Sequence, residues 1–176
     1  MKKTLIFITL CLLSASLWAQ QNPLERFFDK YSPDTSFTII NISPKMFNLF
    51  SKVNLNTGDP QAQQVLSVAQ KLTGLQIITK DHARNGMQLF REASGMLPRK
   101  YEELMTIRDH GNDVKFMINQ GPDGIIHNLI MLVAGGNEFF AMSLTGNIDL
   151  NEISKIAGDM NIQGFDKLKD IKQPKK

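Results

Sequence analysis

The side chains that could do chemistry are three histidines and scattered acids, and their spacing matches no catalytic or metal-binding motif. His82 follows Asp81, but neighbouring residues on a helix or strand point apart, so these two do not form a dyad. The chain contains neither an HExxH metal motif nor a GxSxG nucleophile elbow. His110 lies beside a turn, whereas His127 lies in an apolar run, where a buried and hydrogen-bonded histidine is expected. The sequence therefore predicts no catalytic residue, no metal site and no cofactor, and we expect a protein that is not an enzyme.

Methionines recur through the second half of the chain and raise the possibility of a binding face. The methionine side chain is flexible and polarizable, so it serves both as core filler and as an adaptable contact surface. Met117 is the least easily assigned to a core, because it lies on the polar face of an alternating strand. If that sheet face is uncovered, it forms a partner or ligand site. The candidate residues are Met117, Ile126, Ile130 and Leu132.

The element that would position these side chains is a β-meander from Glu103 to Thr145. Turns rich in glycine and asparagine separate four β-rich runs, EELMTIRD, DVKFMINQ, IIHNLIMLVA and EFFAMSLT. The third run is apolar on both faces, with Leu129, Met131 and Val133 on one side and Ile126, Ile130 and Leu132 on the other. A strand of this kind requires a central place with cover on both sides. We expect helices on one face, and the N-terminal segment or a partner on the other.

Helices and two further strands precede the meander, and one helix follows it. Pro44 and Pro60 each follow a capping residue and open a helix. The apolar faces of these helices include Met46, Leu49 and Val65. The further strands are SFTIINI and LQIIT, and Asp149 with Glu152 predicts a capping box before the last helix. The order predicts an α+β fold, an antiparallel sheet built around the C-terminal four-stranded meander with helices packed mainly on one face.

The first 19 residues have the features of a secretory signal peptide. Lys2 and Lys3 precede a short apolar run, and small residues lie before Gln20. The run is shorter than the about 20 residues that a membrane-spanning helix needs, so we expect no transmembrane span after signal cleavage. Cys11 is the only cysteine and lies within this run, so the mature chain has no thiol and no disulfide.

Signal removal also changes the charge of the chain. It leaves 18 basic against 17 acidic residues, a net charge of +1 instead of +3. The remaining basic excess lies in a lysine-rich C-terminal tail, residues 161–176, which either makes a weak contact with an anionic surface or is only solvated. Export argues against nucleic acid as a partner. Between the signal and the tail we expect an N-terminal segment with a short helix, 20–35, and a single α+β domain, 36–160.

Two segments resemble a known family of exported proteins. The strand and helix SFTIINISPKMFNLF and the closing LTGNIDLNEISKIAG, together with the signal peptide, are similar to proteins grouped as domain of unknown function 4252 in Bacteroidetes-type Gram-negative bacteria. The resemblance covers about residues 36–158 and implies a location in the cell envelope. The family carries no established activity or ligand that could be transferred to individual residues. Some of its members resemble lipoproteins, but this chain lacks the lipid-attachment cysteine pattern.

These observations predict an exported protein of the cell envelope, periplasmic or on the cell surface, with a non-enzymatic binding or scaffolding role. Its partner would be an unknown envelope protein. The alternative is a carrier or sensor that holds a lipid or other apolar ligand between sheet and helices. A hydrolase is a third hypothesis, which would require a histidine, an acid and a hydroxyl group to meet in one cleft.

Overall fold

A six-stranded antiparallel sheet forms the centre of the computed structural model, which describes residues 24–50, 52 and 59–159. Its strands are β1 (Thr38–Ile42), β2 (Leu72–Lys80), β3 (Glu102–Asp109), β4 (Asn112–Gln120), β5 (Ile126–Gly135) and β6 (Glu138–Ile148). The helices are α1 (Glu25–Tyr31), α2 (Pro44–Phe50), α3 (Pro60–Ala69), α4 (Gly86–Met96) and α5 (Leu150–Asp159). The spatial order of the strands is β1-β2-β6-β5-β4-β3. The predicted α+β class and the antiparallel sheet around a C-terminal meander are confirmed.

The ends of the chain fall outside this description. The predicted signal peptide, 1–19, and the lysine-rich tail, 161–176, lie outside the described residues. The short helix expected in the N-terminal segment is α1. Within the described ranges, no helix is both long and apolar enough to cross a membrane.

Tight turns set the register of the meander. His110 and Gly111 have φ angles of 46° and 85°, and a two-residue type I′ turn requires positive φ at both central positions. Asn112, predicted as part of this turn, is instead the first residue of β4. Gly124 and Gly136 also have positive φ, at 79° and 58°, in the two turns that follow. Glycine is therefore required at these turns for conformational reasons, as the sequence indicated.

Strand β5 divides the hydrophobic core in two, because successive side chains of a strand point to opposite faces. Ile130 and Leu132 pack with side chains of α1 and α4, on what we call the α1/α4 face. Leu129 and Met131 pack with side chains of α3 and α5, on the α3/α5 face. Helices therefore cover both faces of the sheet, whereas the sequence predicted them mainly on one. The physical reason is that both faces of β5 are apolar and each must be shielded from water.

Helix α1 supplies part of the cover on the α1/α4 face. The ring of Phe27, fully buried, lies 5.5 Å from the ring of Phe139 in β6. Glu92 of α4 holds the helix from the outside, since its carboxylate accepts hydrogen bonds from Lys30 Nζ at 2.6 Å and Tyr31 Oη at 2.9 Å. The hydrogen bond from Lys30 is the largest cause of the lowered pKa of Glu92.

On the other face, the start of β2 is tied to the end of β6 and to α5. Lys71 Nζ lies 2.7 Å from a carboxylate oxygen of Glu152, and the Lys71 carbonyl accepts a hydrogen bond from the Asn147 N–H at 2.8 Å. Asp149 caps α5 as predicted, with Oδ1 accepting a first-turn N–H at 2.8 Å. The backbone segments at Gly146 and Lys71 approach so closely that a Cβ added to Gly146 would clash with the Lys71 carbonyl oxygen.

We predict that Gly146→Ala destabilises the fold by about 2–4 kcal/mol. The backbone of an alanine at this position must adopt a positive φ of 150°, and its Cβ must displace the Lys71 carbonyl. Gly95→Ala is the matched control. Its Cβ would meet no atom within 4 Å, and alanine is the better helix former, so the fold should gain about 0.5 kcal/mol. Chemical denaturation measures both values, and similar effects at the two sites would contradict the prediction.

The contact of α1 with Glu92 predicts a dependence on acid pH. The folded-state pKa of Glu92 is below its ordinary value of 4.5, so the contact stabilises the fold above that value and loses this contribution as pH falls through the folded pKa. Glu92→Gln should lower the free energy of unfolding by about 1 kcal/mol near neutral pH, with a smaller difference from wild type in acid. Glu102→Gln on strand β3 is the control. A difference that does not change with pH would contradict the assignment.

Candidate functional site

The four residues predicted as a partner face do not form one exposed surface. Ile130 and Leu132 are 0% exposed beneath α1 and α4, and Met117, on the same face, is half-buried. Ile126 packs instead on the α3/α5 face. The alternation of β5 is interrupted by a β-bulge between Ile126 and Asn128, which moves Ile126 to the opposite side from the one predicted.

The three histidines are all exposed and lie on separate loops or strand ends. His82, in the turn between β2 and α4, has a left-handed φ of 55°. His110 contacts Asp109 at the β3–β4 turn, and His127 Nε2 lies 3.8 Å from Asp123 at the opposite end of the sheet. The buried, hydrogen-bonded environment considered for His127 is not what the structure gives it. The described residues contain no group of three or more histidine, cysteine or acidic side chains able to hold a metal ion.

A pocket of about 320 Å³ lies at the start of α4, between the β3–β4 and β5–β6 turns. Its charged lining consists of Arg84, Arg91 and Glu138, and Gly111 and Gly136 border it without side chains. The lining is mostly polar and the charged groups are exposed. Such a pocket suits water or a small polar group better than a lipid chain.

Buried polar groups serve the packing of the sheet. The Asn128 amide donates to Ser143 Oγ at 3.2 Å and to Thr145 Oγ1 at 3.0 Å, across the β5–β6 pair. Its Oδ1 has no hydrogen-bond partner among the described residues. A shift of register would separate the amide from both hydroxyl groups, so this cluster favours the observed pairing. Burial raises the pKa of the Tyr101 phenol to about 12.

The exposed apolar side chains, in contrast, lie in three consecutive elements that begin with an edge strand of the sheet. Within the described residues, the large hydrophobic side chains that are well exposed all lie in β1 and in the two helices that follow it. They are Ile39 (36%), Ile40 (45%), Met46 (44%), Leu49 (52%) and Val65 (47%). Helix α2 packs against β2 and α3, so these elements adjoin one another. We call this set of five residues the β1 surface.

The β1 surface reverses a prediction made from helix periodicity. The residue spacing in α2 and α3 predicts apolar faces that include Met46, Leu49 and Val65, yet all three side chains are exposed. Among the side chains whose burial the structure describes, Phe47 is buried in α2 and Val68 in α3. The signal that could have identified this surface is the absence of charge. The strand TIINI has no charged residue, whereas EELMTIRD, at the other edge of the sheet, has Glu102, Glu103, Arg108 and Asp109.

The two edge strands therefore present different chemistry to solvent. An edge strand exposes unpaired backbone N–H and C=O groups, and charged side chains on such a strand discourage pairing with another chain. Two of the charges on β3 pair with the neighbouring strand β4, since Arg108 binds the buried Asp113 at 2.9 Å and Glu103 lies 3.0 Å from Lys115. Strand β1 combines an outer edge with exposed isoleucines. The arrangement is chemically suited to accept an extended segment of a partner.

Comparison with known proteins identifies the family but adds no activity. The family model described as Domain of unknown function (DUF4252) matches residues 31–156. No curated protein and no solved structure gives a significant match. The matched region contains the whole sheet and all of the helices except α1 and the end of α5. The chain belongs to this family of proteins with a domain of unknown function, as the two segments in its sequence indicated.

Proposed function

We propose that this protein is an exported, non-enzymatic binding domain of the cell envelope, which holds a protein partner through the β1 surface. The observation that carries the proposal is that Ile39 and Ile40 are exposed on the one uncharged edge strand of the sheet, and that Met46, Leu49 and Val65 are exposed on the two helices that follow it. Exposed apolar patches of this kind mark interaction sites.

Strand addition is the binding mode that fits this edge. A partner segment in extended conformation would take up the outer hydrogen-bonding groups of β1 and become a further strand of the sheet. Ile39 and Ile40 are successive residues of β1, so their side chains point to opposite faces of the sheet. They stand opposite Ile78 and Ile77 of β2, respectively. A partner therefore makes apolar contacts on both faces while its backbone pairs at the edge.

The interior is less suited to binding than the edge. A carrier for an apolar ligand needs space between the sheet and its helices, but Ile130, Leu132 and Phe139 are 0% exposed there. The pocket beside α4 is lined mainly by polar groups. These observations favour the edge over the interior and support a protein partner over a lipid.

We predict that a photo-reactive amino acid placed at Ile40 in the exported chain forms covalent adducts in intact cells, since that side chain is exposed at the proposed interface. The same substitution at Thr106, exposed on the charged strand β3, is the control and should give little product. Mass spectrometry of the adducts identifies the partner. Equal labelling from both positions, or none from position 40, would count against the β1 surface.

Export gives a second prediction. When the whole chain is produced in a Gram-negative host, the protein should reach the periplasm with an intact mass that lacks residues 1–19, because Lys2, Lys3 and the apolar run form a signal peptide. A chain without residues 2–19 is the control and should stay in the cytoplasm. Recovery of the full-length mass from the cytoplasm would contradict the proposal.

A further inference from the structure

We infer that the partner on the β1 surface is a second copy of this chain, with the two β1 strands paired antiparallel about a two-fold axis at Ile40. The inference rests on the proposed function, because it names the partner of the same surface. It follows from the sequence of the strand, its place at the sheet edge and the charges at its two ends.

The register follows from symmetry. A two-fold axis perpendicular to the sheet keeps each face on its own side, so only residues of the same face can stand opposite each other. An axis centred on Ile40 pairs Ile40 of one copy with Ile40 of the other. It also pairs Ile39 with Asn41 and Thr38 with Ile42 of the second copy, and so uses the whole of β1. An axis at the neighbouring residue on either side would pair one end of β1 with residues outside the strand.

The side chains brought together in this register are compatible on both faces. Ile40 stands opposite Ile77 of β2, which packs on the α3/α5 face, so the two Ile40 side chains would meet beside that core. Ile39 stands opposite Ile78 on the other face and would contact Asn41 of the second copy. No two charged side chains are brought together within the strand, because β1 has none.

Charges beyond the strand ends are complementary. Asp34 precedes β1 and Lys45 follows it, and antiparallel pairing places the Asp34 end of one copy beside the Lys45 end of the other. Asp34 also lies 4.0 Å from Lys80 of its own chain, so a second cation borders the same acid. Opposite charges near both ends of a symmetric pair are compatible with antiparallel pairing, while the register itself follows from the two-fold axis and the extent of β1.

Pairing in this way produces a closed assembly. Both β1 edges are paired with each other in the dimer. The outer edges of the joined sheet are then both β3, whose charged residues oppose the addition of further strands. A strand of this length spans only about 17 Å, so the contact area is below the about 1,600 Å² of a standard interface. We therefore expect a dimer whose population rises with concentration.

Disulfide formation tests the axis directly. The mature chain has no cysteine, so Ile40→Cys introduces a single thiol. Residues directly opposite in an antiparallel pair have Cα atoms about 4.5–5.5 Å apart, within the range that a disulfide requires. Mild oxidation of the mature Ile40→Cys protein should give a covalent dimer. Ile39→Cys, off the axis, and Thr106→Cys, on the opposite edge, should cross-link far less.

Charge exchange provides a second test with the same position. Ile40→Lys and Ile40→Glu should each weaken self-association by about tenfold or more in sedimentation velocity, because like charges then meet on the axis. An equimolar mixture of the two variants should restore it, whereas Thr106→Lys should leave wild-type association unchanged. Circular dichroism confirms that each variant folds, as expected for an exposed position.

The outcomes separate this inference from the proposed function. A wild-type protein that is monomeric at every concentration, or equal cross-linking from positions 39, 40 and 106, overturns the dimer. If the photo-adduct at position 40 then contains a different protein, the β1 surface is still a binding site and only the second copy is wrong. If position 40 forms no adduct and no disulfide, both fail.

Discussion

Burial of β5 on both of its faces is the constraint on which the rest of the structure depends. Leu129 and Met131 on one side, and Ile130 and Leu132 on the other, are at most 1% exposed. Full burial of one such side chain is worth about 1.5–3 kcal/mol, so leaving either face of this strand in water would cost several kcal/mol. The chain therefore needs helices on both sides, and α1 with α4 and α3 with α5 provide them. In a sheet covered on both faces, the unpaired backbone hydrogen-bonding groups lie at the edges.

The two edges have opposite properties, and this asymmetry carries the functional argument. Strand β3 exposes charged side chains, while β1 exposes isoleucines and is followed by helices whose own apolar residues face solvent. Unpaired strand edges tend to pair with other chains, so an uncharged edge is either a liability or a binding surface. A register centred on Ile40 pairs the whole of β1 and brings no charged side chains together within the strand, which favours the second view. The histidines and the polar pocket beside α4 offer no comparable convergence of groups.

Local sequence signals predicted much of the fold. The turns at Gly111, Gly124 and Gly136, the prolines that open α2 and α3, and the cap at Asp149 are short-range features, and the structure has them where expected. Strand β2 is longer than the predicted LQIIT, because pairing with β6 extends it back to Leu72. Glu152 was expected in a capping box, but its carboxylate binds Lys71, a residue 81 positions away in sequence. No local pattern contains such a contact.

The sequence by itself determined the α+β class, the family and the two apolar faces of β5, since these depend on residue type, spacing and turn chemistry. Only the tertiary structure decided which apolar residues are covered. The bulge at Asn128 sends Ile126 to the opposite core from Ile130, and the placement of α2 and α3 leaves Met46, Leu49 and Val65 exposed. Periodicity identifies the apolar side of a helix or strand, but whether another element covers it depends on contacts between distant parts of the chain.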